Sequence, residues 1–174
     1  MLRRKLWVII PLICLFIFPL SQALAESSED FVPLLIDIPG WEGDEPETMD
    51  MTQGNMVMVT ASRDYDKDNK HFTATVYIGT QAASMWNPTY AEGFKLSTND
   101  VVAEVKKING FLVYHSYEKD SDSGGCIVLL NKKSQQPNAS AIFFVDYDGM
   151  TDNEAIKLAK NFDWTKMQKI AQNF

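Results

Sequence analysis

Methionine and histidine are the first side chains whose spacing predicts chemistry. Met56 and Met58 stand two residues apart in a strand-like run, and a second pair, Met49 and Met51, precedes them. Alternate residues of a strand share a face, so Met56 and Met58, with His71 as a further ligand, could bind a soft ion such as Cu(I). The simpler interpretation, which we favour, is that these methionines fill the core. We expect no cofactor, and copper is the alternative.

Cys126 and His115 form the second candidate group. A turn at Asp120 and Ser121 would place them opposite each other on one face of a hairpin, where imidazole could draw the thiol towards thiolate. The sequence shows no third group that would orient the histidine. We therefore assign no catalytic residue, and a Cys/His-dependent enzyme remains an alternative.

Two tryptophans are candidate contacts for a partner protein or a small ligand. Trp41 follows Pro39 and precedes an acidic loop, and Trp86 lies in a short helical segment. An aromatic side chain near turn-forming prolines can anchor a partner. The interpretation that we favour is that such a tryptophan closes the open end of a sheet.

Alternating aspartates at Asp64, Asp66 and Asp68 begin like a calcium loop. Asn69 stands where the motif needs glycine, and Thr75 stands where it needs a bidentate glutamate. A solvated hairpin tip is the expected structure. The chain also lacks G-x-S-x-G, a phosphate-binding glycine loop and H-E-x-x-H.

Strands must position most of these side chains. Runs of β-branched and aromatic residues predict six strands, joined in part by loops of hairpin length. The predicted strands are Asn55–Tyr65, His71–Thr80, Val101–Ile108, Phe111–Tyr117, Cys126–Asn131 and Ala139–Tyr147. Such an order predicts an antiparallel sheet with its apolar face covered by helices.

Two helical regions are predicted. Gln81–Phe94, after the second strand, reads as a short helix followed by a loop. A capping box at Thr151 and Glu154 starts a C-terminal helix near Asp152, and Asp163 caps further turns. Residues 26–30 are expected to be a loose lead-in.

The N-terminal segment predicts export. Residues 1–25 contain a basic start, an apolar stretch of about 15 residues, short of the roughly 20 of a membrane span, and the A-x-A site Ala23-Leu24-Ala25. We expect a cleaved signal peptide at 1–25, a single domain at 26–174, a periplasmic or secreted location and no stable membrane insertion after cleavage.

The negative net charge of the chain disfavours some classes of binding partner. The chain has 16 Lys and Arg against 23 Asp and Glu, a formal charge of −7, and removing the basic segment makes it more negative. Nucleic acid and anionic lipid surfaces should repel such a domain.

The order of the elements is similar to that of the PsbP-like fold of small exported proteins, including bacterial periplasmic proteins of the DcrB type. The segment from Ile38 to Glu47, Ile-Pro-Gly-Trp-Glu-Gly-Asp-Glu-Pro-Glu, also resembles the opening of uncharacterised small exported bacterial proteins. The resemblance implies an α+β fold and supplies no catalytic residues.

These observations predict an α+β domain with an antiparallel sheet of about six strands, covered by a C-terminal helix and a short helix after the second strand. The expected function is non-enzymatic binding of an envelope protein or a small ligand. A soft-metal handling protein and a Cys/His-dependent enzyme are the alternatives.

Overall fold

The computed structural model describes residues 27–86, 91–131 and 140–174. The predicted signal peptide at 1–25 lies outside these ranges. Within them, no helix has the length and apolar composition needed to cross a membrane.

The described residues form an antiparallel sheet, three short α-helices and an N-terminal 3-10 helix. The 3-10 helix spans Ser28–Leu34. The strands are β1 (Glu42–Gly43), β2 (Glu47–Gln53), β3 (Met56–Lys67), β4 (Lys70–Gly79), β5 (Lys95–Ser97), β6 (Val101–Ile108), β7 (Phe111–Glu118), β8 (Ser123–Asn131) and β9 (Ala141–Asp148). The helices are α1 (Thr80–Met85), α2 (Asp152–Ala159) and α3 (Trp164–Ala171).

The last strand in sequence lies in the middle of the sheet. The strand order is β1-β3-β4-β9-β8-β7-β6-β5, and β2 pairs with β3 beside β1. Because β9 pairs with both β4 and β8, it joins the hairpin β3–β4 to the meander β5–β8.

One face of the sheet, here called the helix face, carries the main core. The 3-10 helix, α2 and α3 pack on it. Its buried side chains include Val59, Tyr65, Phe72, Val76, Val113, Cys126, Val128, Phe143 and Val145. Phe162, Trp164 and Met167 contribute to the same core from the C-terminal segment.

The opposite face, here called the open face, is only partly covered. Ala82 and Trp86 pack on Ile127 and Ile142 at one end of the sheet. Ala141, Ile142 and Phe143 are consequently buried in succession. Beyond the part that α1 covers, β9 alternates between buried and exposed residues, ending with Asp146 and Asp148 exposed.

Helix capping follows the predicted pattern. The backbone N–H of Glu154 donates to Thr151 Oγ1 at 3.4 Å, and the backbone N–H of Thr151 donates to Glu154 Oε2 at 3.1 Å. The backbone N–H of Lys166 donates to Asp163 Oδ1 at 2.9 Å. These local interactions confirm the predicted helix starts near Asp152 and Asp163.

The antiparallel sheet and the C-terminal helices are confirmed, but the sheet contains strands that the sequence pattern did not predict. β1, β2 and β5 are short or largely exposed, and backbone pairing with a neighbouring strand defines them. The expected lead-in at 26–30 is also structured from Ser28, whose hydroxyl donates to Asp50 Oδ2 at 2.8 Å.

Candidate functional site

The uncovered part of the open face forms an acidic cleft of about 600 Å³. Its walls come from β4, β7, β8 and β9, and Val101 at the start of β6 also lines it. The lining includes His71, Tyr114, Glu118, Gly125, Phe144, Asp146 and Asp148. A volume of this size suits a small organic ligand.

Glycine and aromatic residues shape the floor of the acidic cleft. Gly125 faces Asp146 across β8 and β9, next to the pair Ile127 and Phe144. A Cβ atom at Gly125 would lie 2.9 Å from Phe144 Cε2, so a larger residue would push on the Phe144 ring. The glycine therefore leaves space above the sheet and lets the ring lie close to β8.

Carboxylates dominate the charge of the acidic cleft. Asp148 lies opposite His71 in the register of β4 and β9, and Asp146 lies opposite Thr73. Partial desolvation at the sheet surface raises the pKa of Asp146 although the residue is exposed, and Asp148 acts in the same direction, while His71 opposes them. No Lys or Arg belongs to the described lining. A cation entering this space would meet carboxylates on β7 and β9.

His71 lies at one rim, held by acidic residues of β3. Its Nδ1 is 3.0 Å from Asp66 Oδ1, and its Nε2 is 3.9 Å from Asp64 Oδ1. Asp64 also accepts a hydrogen bond from Thr73 Oγ1 at 2.5 Å. Asp64 and Asp66 thus contact neighbouring side chains, as in a hairpin. Asp68 follows in the turn with a φ of 55°. No group of three or more His, Cys, Asp or Glu residues suited to a metal occurs in the described ranges.

The Cys126 and His115 pair lies on the helix face, away from the acidic cleft. The two residues are direct partners in the register of β7 and β8, as a turn at Asp120 and Ser121 requires. His115 is 2% exposed and Cys126 is 1% exposed. Burial raises the pKa of the Cys126 thiol to about 12, which strongly disfavours the nucleophilic thiolate at neutral pH.

Two carboxylates flank His115 in this buried setting. His115 Nε2 lies 2.9 Å from Glu104 Oε1, and Nδ1 lies 3.5 Å from Asp152 Oδ2. Burial lowers the pKa of His115, while both carboxylates act in the opposite direction. The pKa of Glu104 is lowered to about 2, first by Lys106 and then by His115. The group links β6 and β7 to the start of α2.

The structure separates His71 from Met56 and Met58. His71 pairs with Asp66 near one end of β3, whereas Met58 pairs with Gly79 near the other. At a rise of about 3.3 Å per residue, the two sites lie about 26 Å apart. His71 therefore does not join these methionines in one metal site.

The two candidate tryptophans lie in different surroundings. Trp86 is 4% exposed inside the cluster under α1, so it is not an exposed anchor. Trp41 is half-buried and packs edge-on against Phe72, with ring centroids 4.9 Å apart. Trp41 also borders a shallow depression with Asp66 and Lys67.

Sequence reasoning did not identify the residues of the acidic cleft apart from His71. Phe144, Asp146 and Asp148 alternate along β9, which places them on one face of a strand. That alternation was visible in the sequence. Their position beside His71, Glu118 and Gly125 depends on β9 entering the sheet between β4 and β8.

In comparisons with known proteins, the chain matches no protein-family model, no curated protein and no solved structure.

Proposed function

We propose that this chain is an exported, non-enzymatic binding domain whose ligand is a small organic cation held in the acidic cleft. The cation would be an ammonium or guanidinium group attached to an apolar body. One observation carries the proposal: the lining of the cleft of about 600 Å³ includes three carboxylates and a histidine but no described Lys or Arg, above a floor that contains aromatic rings.

The charge of the site supports a cation. Asp146, Asp148 and Glu118 line the same space, and the whole chain has a formal charge of −7. Partial desolvation already raises the pKa of Asp146, so neighbouring groups do not fully compensate its carboxylate form. A bound cation would supply that compensation and lower the same pKa.

The aromatic floor supports an apolar body next to the charge. Phe144 and Tyr114 lie among the lining residues, together with Ile127. Aromatic faces attract ammonium and guanidinium groups, and they also exclude water from an apolar ligand. Partner proteins could present the same chemistry through a lysine or arginine side chain, but the size of the cleft favours a small molecule.

Isothermal titration with 2-phenylethylamine tests this proposal, with 3-phenylpropionate as the matched anion. Arginine methyl ester and spermidine extend the panel to guanidinium and polyamine cations. We expect the amine to bind and the anion to fail. Asp146→Asn should weaken amine binding about tenfold, which corresponds to about 1.4 kcal/mol.

The matched control is Glu29→Gln. Glu29 is exposed near the helix face, where it accepts a hydrogen bond from Thr48, so this change removes a negative charge far from the acidic cleft. It should leave the affinity unchanged. Equal binding of amine and anion, or equal affinity of Asp146→Asn and the parent, would contradict the proposal. So would a panel in which no cation binds more tightly than about 1 mM.

Export and periplasmic location belong to the same proposal. The basic, apolar and A-x-A segments at 1–25 support it. Protein recovered from the envelope of its host should begin at Glu26. Recovery of the intact N-terminus from the cytoplasm would contradict it.

The absence of turnover is the remaining part of the proposal. The buried state of Cys126 and its raised pKa support it against the Cys/His alternative. A broad hydrolase and redox screen should detect no activity. An activity that disappears in Cys126→Ala or His115→Ala would overturn the non-enzymatic proposal.

We also keep the PsbP-like fold as a proposal. The antiparallel sheet followed by two C-terminal helices supports it. An experimental structure with a strand order different from that of PsbP-like domains would overturn it.

A further inference from the structure

The hairpin β2–β3 places four methionines on one face. Met51 and Met58 are direct cross-strand partners. Met49 lies two residues from Met51, and Met56 lies two residues from Met58, so all four share the open face. These are half of the chain's eight methionines. They are here called the methionine face.

Packing alone does not explain the methionine face. Met49 is 46% exposed and Met56 is 43% exposed, and both belong to the small set of large apolar side chains that the described residues leave exposed. Met51 and Met58 are half-buried. Methionines that only filled a core would resemble Met150 and Met167, which are buried.

The register of the hairpin brings the thioethers of Met51 and Met58, together with that of either Met49 or Met56, within reach of one ion. Directly opposed residues of an antiparallel pair have Cβ atoms about 5 Å apart, and diagonal neighbours are about 7 to 8 Å apart. Methionine has three rotatable side-chain bonds, so the sulfur atoms can move towards a common point. The connection from Gln53 to Met56 passes through Gly54 and Asn55, which holds the two strands in register.

We propose that the methionine face binds a soft monovalent cation of the Cu(I) or Ag(I) class. Thioethers are neutral, soft ligands that favour such ions over hard cations. The negative charge of the chain would favour binding of the cation. Glu47 contributes to it locally, because it shares the open face of β2 with Met49 and Met51. The site is independent of the acidic cleft, and His71 takes no part in it.

Titration with Ag(I) in chloride-free buffer tests the proposal, because Ag(I) needs no reductant. Methyl NMR of protein labelled at the methionine methyl groups identifies the ligands directly. Ag(I) should shift the signals of Met49, Met51, Met56 and Met58 and leave those of Met150 and Met167 in place. This readout separates the thioethers from the thiol of Cys126.

Leucine variants measure the contribution of the central pair. Met51→Leu combined with Met58→Leu should lower the Ag(I) affinity at least about tenfold in a chelator competition. Met150→Leu is the matched control, and it should bind like the parent. Met-to-leucine exchange nearly conserves volume, so circular dichroism should be unchanged in all variants.

Three results would overturn the proposal. One is that Ag(I) leaves the four methyl signals unmoved. Another is equal affinity of the double variant and the parent. The third is loss of Ag(I) binding in His71→Ala, which would place the ion in the acidic cleft. Because the site should select soft ions, Cu(I) under anaerobic conditions should bind to the same methionines as Ag(I).

Discussion

Burial determines the chemistry of the two neighbouring side chains at the centre of the helix face. Cys126 and His115 meet in the register of β7 and β8, yet their surroundings favour the neutral thiol and lower the pKa of the imidazole. A catalytic pair needs the opposite, thiolate beside imidazolium. Contact between the right residue types is therefore not sufficient for reactivity.

Cys126 should resist alkylation in the folded protein. Iodoacetamide at mildly alkaline pH reacts with thiolate, and burial holds the Cys126 pKa at about 12 while keeping the sulfur away from solvent. Mass spectrometry of the native protein should find the thiol unmodified. In denaturant the same reagent should modify it completely. Rapid modification of the native protein would contradict the prediction.

His115 should make stability fall on mild acidification. Burial lowers its folded-state pKa below the ordinary value of 6.5, so the unfolded chain takes up the proton first. The free energy of unfolding should therefore decrease as pH falls from about 7 to about 5. Denaturation at a series of pH values measures this change. Lys106, Glu104 and Asp152 are the charged groups that act on His115.

His115→Gln is the control for that pH dependence. The amide can still donate to Glu104 but does not titrate, so the decrease between about pH 7 and about pH 5 should flatten. A second decrease should remain at lower pH, because Lys106 still lowers the pKa of Glu104 below its ordinary 4.5. An unchanged curve in His115→Gln would exclude His115 as the cause.

At the scale of elements, Arg63 connects the N-terminal segment to the sheet through hydrogen bonds and an ion pair. From β3 its guanidinium donates to the Leu35 carbonyl at 2.8 Å and to the Asp44 carbonyl at 2.6 Å. It also forms an ion pair with Asp37 at 2.6 Å. One cation in the middle of a strand therefore contacts both the end of the 3-10 helix and the residue that follows β1.

Arg63→Ala should lower the free energy of unfolding by about 2 kcal/mol, because the carbonyl groups of Leu35 and Asp44 lose their donor and Tyr65 loses a packing contact. Urea denaturation measures the change. Lys67→Ala, at an exposed position of the same strand, is the matched control and should change stability by less than about 0.5 kcal/mol. Equal effects of the two substitutions would contradict the assigned role.

At the scale of the whole molecule, β9 completes the fold. It forms backbone pairs with β4 on one side and β8 on the other, over Ala141–Asp148. Without it, the hairpin β3–β4 and the meander β5–β8 have no shared strand. The acidic cleft would also disappear, because Phe144, Asp146 and Asp148 line it.

A chain that ends at Asn131 should therefore fail to fold cooperatively. Of the nine strands in the described ranges it keeps eight, but it loses the central one and both C-terminal helices. Thermal unfolding followed by circular dichroism should show no sharp transition. Adding the segment 140–174 as a separate peptide should restore one. A cooperative transition in the truncated chain alone would show that β9 is dispensable.

The sequence by itself determined the interiors of the long strands and the starts of the terminal helices. Six long strands carry β-branched or aromatic residues, namely β3, β4 and β6 to β9. The capping box of α2 needs only Thr151 and Glu154, which are three residues apart. The register of Cys126 and His115 agrees with a turn at Asp120 and Ser121, although the polar segment 117–125 left the position of that turn open. Local interactions decide these features, so a local pattern can reveal them.

Only the tertiary structure decided the exposed strands and the sites. β2 is polar and mostly exposed, and its pairing with β3 defines it as a strand. The same pairing aligns the methionine face and leaves His71 near the other end of β3. The acidic cleft needs β9 between β4 and β8, a contact across long chain separation. The periodicity of a sequence predicts which face of a strand a residue lies on. It does not predict which other strand pairs with that strand.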